Sequence, residues 1–164
     1  MAVRKEKRDL EKDFNSWIAV FSEKEAFPDG IITVSNIRKG QGNIAGVAIA
    51  PGIRTAFNSL FANTAQLPAV PLDIPETSLG KNTVVAIQSG ILNGYKGLVE
   101  NLIKQMKIDL EKETGTKADD VQVIATGGLN SMLSPITDIF DHTDKNLTLD
   151  GMIRIYNFIR GACC

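Results

Sequence analysis

From Val84 to Met106, apolar side chains recur at Val84, Ile87, Ile91, Tyr95, Leu98, Leu102 and Met106, the three-and-four spacing that draws one stripe along an α-helix. Such a helix is about 34 Å long at 1.5 Å per residue, and it buries its stripe only against a layer of similar extent. It is the longest periodic element of the chain. Asn82 or Thr83 caps it, since either side chain can accept a backbone N–H of the first turn. Gly90, Gly94 and Gly97 fall inside it, where glycine costs about 1 kcal/mol against alanine. They predict that a packed helix or a partner subunit approaches that face closely.

Ile31 to Ile37 is β-branched and follows the turn residues Pro28-Asp29-Gly30; Lys39-Gly40-Gln41-Gly42-Asn43 then turns the chain into Ile44 to Ala50. The pair predicts a hairpin. Val121 to Ala125 is a short apolar strand running into Thr126-Gly127-Gly128, and Ile136 to Phe140 is a further strand candidate. Between them lie a helix over Ile53 to Gln66, with Ile53, Phe57, Leu60 and Phe61 on one side, and an extended connector from Leu67 to Pro75. In that connector each proline keeps its predecessor out of the helical region. Thr114 to Asp120 and Asp141 to Asn146 read as polar loops, and Leu149, Met152, Ile153, Tyr156 and Ile159 mark a last amphipathic helix. At the other end, Leu10, Phe14, Trp17, Ile18 and Phe21 predict an amphipathic helix over residues 1 to 26, its charged stretch from Arg4 to Lys12 solvated. Strands interleaved with helices predict an α/β layered domain.

Composition narrows the function. The 164 residues carry 18 basic and 19 acidic side chains for a net charge of -1, so no global basic field favours a nucleic acid. The longest apolar runs, Trp17 to Phe21 and Val121 to Ala125, are too short for a bilayer span or a signal-peptide core. Glu6, Asp9, Glu11 and Asp13 argue against an organelle transit peptide. The expectation is a cytoplasmic protein with neither a nucleic-acid nor a membrane partner. Cys163 and Cys164 are adjacent, which provides no disulfide framework and no metal-ligand spacing, and residues 161–164 read as a tail.

Two segments have the chemistry of a small-molecule site. Thr126-Gly127-Gly128 follows a strand, and consecutive glycines there let backbone N–H groups approach a phosphate or nucleoside; the same residues serve equally as a tight connection. Gly80-Lys81-Asn82-Thr83 sets a cation and a hydroxyl at the start of the longest helix, where anions are favoured, although Lys81 also reads as a solvated surface group. His142 is the only histidine and reads as a surface-loop residue; Asp138, Asp141 and Asp144 lack the glycine and terminal glutamate of a calcium loop. The chain has neither a complete phosphate loop nor a dinucleotide fingerprint.

Taken in order, Gly46-Val47-Ala48-Ile49-Ala50-Pro51-Gly52, Thr64-Ala65-Gln66-Leu67-Pro68, Gly80-Lys81-Asn82-Thr83 with Gln88-Ser89-Gly90, Ala125-Thr126-Gly127-Gly128 and Leu147-Thr148-Leu149-Asp150-Gly151 resemble the C-terminal half of type III pantothenate kinases. The resemblance runs from about Asn43 to Ile159 and departs at Gly46-Val47, where the family usually has two glycines. It implies a ribonuclease-H-like or actin-like ATPase half-domain, with a mixed sheet, packed helices and the N-terminal half-domain largely missing. Residues 43–160 would form the kinase-like domain and residues 1–42 a poorly matched remnant. It also implies transfer of the γ-phosphoryl group of ATP to the primary alcohol of pantothenate, the first step toward coenzyme A, with magnesium and potassium or ammonium. By position, Thr83 with Asn82 would contact pantothenate, and Thr126, Gly127 and Gly128 would lie on the nucleotide side. Family members are homodimers.

The family's catalytic carboxylates stand in an Asp-x-Gly-Asn-Thr loop, a Gly-Ala-Asp-Arg segment and an Asp-x-Gly-Thr-Ala-x-Thr loop, none of which occurs here. Gly30-Ile31-Ile32 followed by Thr33-Val34 reads like the flanks of the third loop with its centre excised. Asp13-Phe14-Asn15 matches the second only weakly, so Asp13 is a poor catalytic candidate. Two expectations follow. The chain is a truncated kinase, impaired alone, or a non-catalytic binding or dimerisation module that pairs with a kinase half.

Overall fold

The computed structural model describes residues 16–21, 29–38, 41–62, 70–128 and 130–161. Five strands, β1 (Ser16–Phe21), β2 (Asp29–Arg38), β3 (Gln41–Pro51), β4 (Gln122–Thr126) and β5 (His142–Thr143), form one sheet in the order β3-β2-β1-β4-β5. Helix α1 (Ile53–Ala62) follows β3, α2 (Thr83–Thr114) returns the chain to β4, α3 (Asn130–Leu133) is a single turn and α4 (Leu147–Ile159) comes last.

The predicted hairpin is β2 and β3, antiparallel from Asp29 opposite Pro51 to Arg38 opposite Gln41. Its register shifts between Val34, opposite Gly46, and Ser35, opposite Ile44. Ala45 is therefore the extra residue of a β-bulge, which bends the strand at the Gly46-Val47 segment. β1 pairs antiparallel with β2 and parallel with β4, and β4 pairs parallel with β5. A parallel partner requires a crossover connection, and the path through α1 and α2 supplies it. The fold is thus mixed α/β, as predicted.

Three expectations need correction. Ser16–Phe21 is a strand and not part of an amphipathic helix; Leu10 and Phe14, which carried the rest of that reading, lie outside the described residues. Trp17 to Phe21 is a short, uninterrupted run of apolar residues, and such a run has no decisive period. Hydrogen bonding on both edges, to β2 and β4, makes it a strand. Ile136 to Phe140 is not a strand; the pairing falls one step later, at His142–Thr143. Asp141 decides this position: its backbone N–H donates to the Val123 carbonyl at 3.0 Å, and its carboxylate accepts the Val123 N–H at 2.7 Å. Ile136, Ile139 and Phe140 pack instead against the core. Finally, a Cβ on Gly90, Gly94 or Gly97 would meet nothing within 4 Å among the described residues. Among the described residues no packed helix presses on these glycines, which corrects that part of the expectation.

Among the described residues the core gathers between α2, α1, α3 and the start of β4. Leu92, Val99, Ile103 and Leu110 of α2 cluster with Ile53, Val121, Val123 and Leu133. Of the predicted stripe, Ile87 is buried, Ile91, Tyr95, Leu98, Leu102 and Met106 flank this line half-buried, and Val84 is exposed. α2 also runs past Met106 to Thr114, where Gly115 at φ 72° donates its N–H to the Glu111 carbonyl at 2.8 Å. That left-handed terminator favours glycine. Because the Asp141 carboxylate replaces a ladder partner for Val123, Asp141→Ala is expected to lower stability by about 2 kcal/mol, measured by urea unfolding, with Asp141→Asn losing less.

Candidate functional site

The site begins with two polar residues that interrupt the apolar surface of α2. Gln88 and Ser89 are 7% and 5% exposed, so their polar atoms must find partners. They find them in the connector. The Gln88 side-chain amide donates to the Pro71 carbonyl at 2.8 Å, and the Ser89 hydroxyl donates to the Ser78 carbonyl at 2.6 Å. The Asn93 amide donates in turn to the Ser89 hydroxyl at 3.0 Å. These bonds hold the segment from Pro71 to Ser78 along the first turns of the helix.

Gly80 makes the approach possible. A Cβ there would stand 2.4 Å from both the Cα and N of Ala86, a clash with backbone that cannot rotate away. Asn82 then caps α2: its side-chain oxygen accepts the Val85 N–H at 2.9 Å, and its carbonyl accepts the Ala86 N–H at 2.9 Å. Of the two cap candidates, Asn82 is therefore the one used, and its side-chain oxygen is committed to the helix. Thr83 is the first helical residue and is exposed, as is Lys81.

Beside this corner lies a groove of about 750 Å³. Leu60 of α1 and Ala86, Ile87, Gly90 and Ile91 of α2 form its walls, and Gly80 to Thr83 form its rim. With no side chain at Gly90, the wall stays open. Apolar walls under a rim bearing an amine, a hydroxyl and a helix N-terminus suit a small molecule with an aliphatic body and a polar or anionic end. Leu60 and Ile91 as walls were not foreseeable, because nothing local to either residue indicates that α1 meets the start of α2. Gln88 and Ser89 did carry a signal, two adjacent polar residues within an apolar helix.

The glycine-rich segment is placed differently. Thr126 ends β4 and is 2% exposed; Gly127 has φ 100°, which requires glycine; Gly128 is exposed. α3, which follows, has four residues and offers only a fraction of the N-terminal dipole of a full helix. Among the described residues these three do not line the groove. His142 is half-buried in β5 rather than on a surface loop. The Asp141 and Asp144 carboxylates accept the Val123 and Asn146 N–H groups. Among the described residues no three His, Cys, Asp or Glu side chains gather into a metal-binding group. Asp13, Cys163 and Cys164 lie outside the described residues. No described helix is long and apolar enough to cross a membrane.

Comparison with known proteins supplies the lineage. The sequence profile of the type III pantothenate kinase family matches residues 31–105. The type III pantothenate kinases of Thermus thermophilus and Moorella thermoacetica are 37% and 41% identical to the chain over 127 residues, 77% of the chain and 47% of each relative. The Rhodospirillum rubrum enzyme of the same name is 39% identical over the same share. The chain spans about half the length of the curated relatives it matches. Among solved structures, one assigned to the Baf family of transcriptional activators, from Campylobacter jejuni, is 19% identical with a TM-score of 0.50, covering 92% of this chain and 61% of that one; this likeness concerns the fold alone.

The groove depends on its glycine corner. Gly80→Ala is expected to push the loop off Ala86, costing about 1–3 kcal/mol by overpacking. A lowered thermal midpoint with unchanged far-ultraviolet helicity checks it.

Proposed function

We propose, on the premise that the chain is a partial homologue of the type III pantothenate kinases, that its groove is the pantothenate side of a kinase that phosphorylates pantothenate with ATP, the first step toward coenzyme A. The observation that carries this reading is the apolar groove with Lys81 and Thr83 on its rim, inside the segment that the family profile covers. Pantothenate has a gem-dimethyl body, an amide and a terminal carboxylate. Leu60, Ile87 and Ile91 offer the dimethyl group apolar contact, Thr83 offers a hydroxyl to the polar groups, and Lys81 stands where a carboxylate gains from both the amine and the helix N-terminus. On the same reading, Thr126, Gly127 and Gly128 form part of the nucleotide side. The mixed sheet is compatible with half of an actin-like or ribonuclease-H-like ATPase domain.

Phosphoryl transfer is catalysed mainly by positioning and charge stabilisation. The described residues of this chain supply orientation of the alcohol substrate and exclusion of water from its apolar part. Among the described residues no three His, Cys, Asp or Glu side chains gather into a cation site. The chain alone is therefore a binding half with impaired turnover. Cytoplasmic location and a homodimer, or pairing with a kinase half, complete this reading. A second reading, a binding or dimerisation module derived from the kinase, is favoured by one observation, the apolar side chains left exposed on β3 and α4, such as Ile49 at 70% and Ile159 at 75%.

Two measurements separate the readings. Calorimetry is expected to show pantothenate binding to the isolated chain, weakened about tenfold in Thr83→Val or Lys81→Met, the effect of about 1.4 kcal/mol. No heat from folded wild-type protein would overturn the assignment of the groove. In a phosphopantothenate assay with ATP, magnesium and potassium, turnover is expected at least about a thousandfold below that of the Thermus thermophilus enzyme, the scale of losing a positioned carboxylate. Comparable turnover would show that other residues replace the missing motifs.

A further inference from the structure

A strand at the margin of a sheet presents a row of backbone N–H and C=O groups that lack ladder partners, and proteins usually guard such a row with charge, proline or shortness. The two margins of this sheet are unequal. β5 has two residues, His142–Thr143, too few to template another strand. β3 has eleven, Gln41–Pro51, and among the described residues β2 is its one neighbour in the sheet. None of those residues is charged, and no side chain from Ala45 to Pro51 is buried.

Two features limit where a further strand can pair with it. The bulge at Ala45 interrupts the ladder at one end, and Pro51, which has no N–H to donate, stops it at the other. Between them, Gly46 to Ala50 runs in unbroken register with β2. Val47 and Ile49 point to one face, 50% and 70% exposed, and the small residues Gly46, Ala48 and Ala50 point to the other. The midpoint of this stretch is Ala48. An antiparallel copy of the same strand centred there sets Gly46 against Ala50, Val47 against Ile49 and Ala48 against itself, and it leaves a bulge opposite a proline at each end. Both Val–Ile contacts are cross-strand pairs of the stabilising kind, and no like charges meet. A charge-free strand therefore complements its own copy, whereas a charged peptide would find no opposite charge along it. The unequal margins also set the stoichiometry: joining β3 to a second β3 uses the one long edge of each copy, so the contact is isologous and closes at two.

We propose that two copies of the chain pair antiparallel through Gly46 to Ala50 of β3, in the register centred on Ala48, and so merge their five-stranded sheets into one. The proposal stands on the strand and its edge; it requires neither ATP nor pantothenate to bind.

The test uses the full chain in a Cys163→Ser, Cys164→Ser background. Sedimentation equilibrium is expected to show monomer and dimer and nothing larger. In the proposed register the two Ala48 positions face each other with Cα atoms about 4.5–5.5 Å apart, within disulfide reach, so Ala48→Cys is expected to link the copies under mild oxidation. Ala50 stands four residues out of step with its copy, about 13 Å along the strand, so Ala50→Cys is expected to link at least about tenfold more slowly. Ile49→Lys removes both Val–Ile pairs and sets a charge on the edge; it is expected to raise the dissociation constant at least about tenfold with unchanged helicity. A monomer at every concentration, growth beyond the dimer, linking of Ala48→Cys no faster than of Ala50→Cys, or an unchanged dissociation constant in folded Ile49→Lys would each overturn the proposal. If Ile49→Lys does not fold, the two cysteine variants decide. Calorimetry with pantothenate stays independent, so a groove that binds nothing would overturn the proposed function and leave the strand pairing standing.

Discussion

Everything else in the structure hangs on the packing of α2 against the sheet. Leu92, Val99, Ile103 and Leu110 bury one line of a 32-residue helix against Val121 and Val123, and that contact fixes where β4 runs. β4 in turn positions β5, because Asp141 and Asp144 bond back to Val123 and Ala125. Removing water from this apolar surface is the main force favouring the fold. The hydrogen bonds that surround it chiefly choose among the arrangements that bury the same residues.

The candidate groove follows from what α2 does before it reaches that core. Its first turns lie beyond the sheet contact and are packed by α1 and by the connector. Gln88 and Ser89, buried and polar, demand acceptors, and the Pro71 and Ser78 carbonyls supply them. The proline-spaced connector, unable to form a helix of its own, is thereby held in one course that ends at Gly80 and Asn82. A rigid scaffold presenting a loop at a helix start is a common way to build a small-molecule site. Here the scaffold is the helix itself, and the buried amide and hydroxyl fasten the loop to it.

One half of the sheet's environment differs from the other. Val123 and Ala125 point to the α2 side and are buried, whereas Val47 and Ile49 on β3 are 50% and 70% exposed. Val47 shares its lateral row with Thr33, Ala19 and Ile124, so the row opposite α2 passes from half-buried at β4 to exposed at β3. α4 likewise leaves large apolar residues exposed, among them Met152, Ile153, Ile155 and Ile159.

The sequence alone was sufficient for the elements whose periodicity is long or whose punctuation is strong. The α2 stripe, the β2-β3 hairpin, α1, β4 and α4 were legible because apolar spacing, capping residues and turn residues agree locally, and the ordered motifs were enough to indicate the kinase lineage. The helix start at Asn82 and Thr83 was legible too, since helix starts have a recognisable chemistry. Tertiary structure decided the rest. Trp17 to Phe21 became a strand because two neighbours bonded its edges, Asp141 moved the last strand beyond Ile136 to Phe140, and the deepest line of α2 fell beside the predicted one because several adjacent faces of that helix are apolar. The same holds for the partners of Gln88 and Ser89 and for the apolar side chains that α4 leaves exposed. Local sequence limits which conformations a segment can adopt; which face is buried, and against what, is set by contacts between residues far apart in the chain.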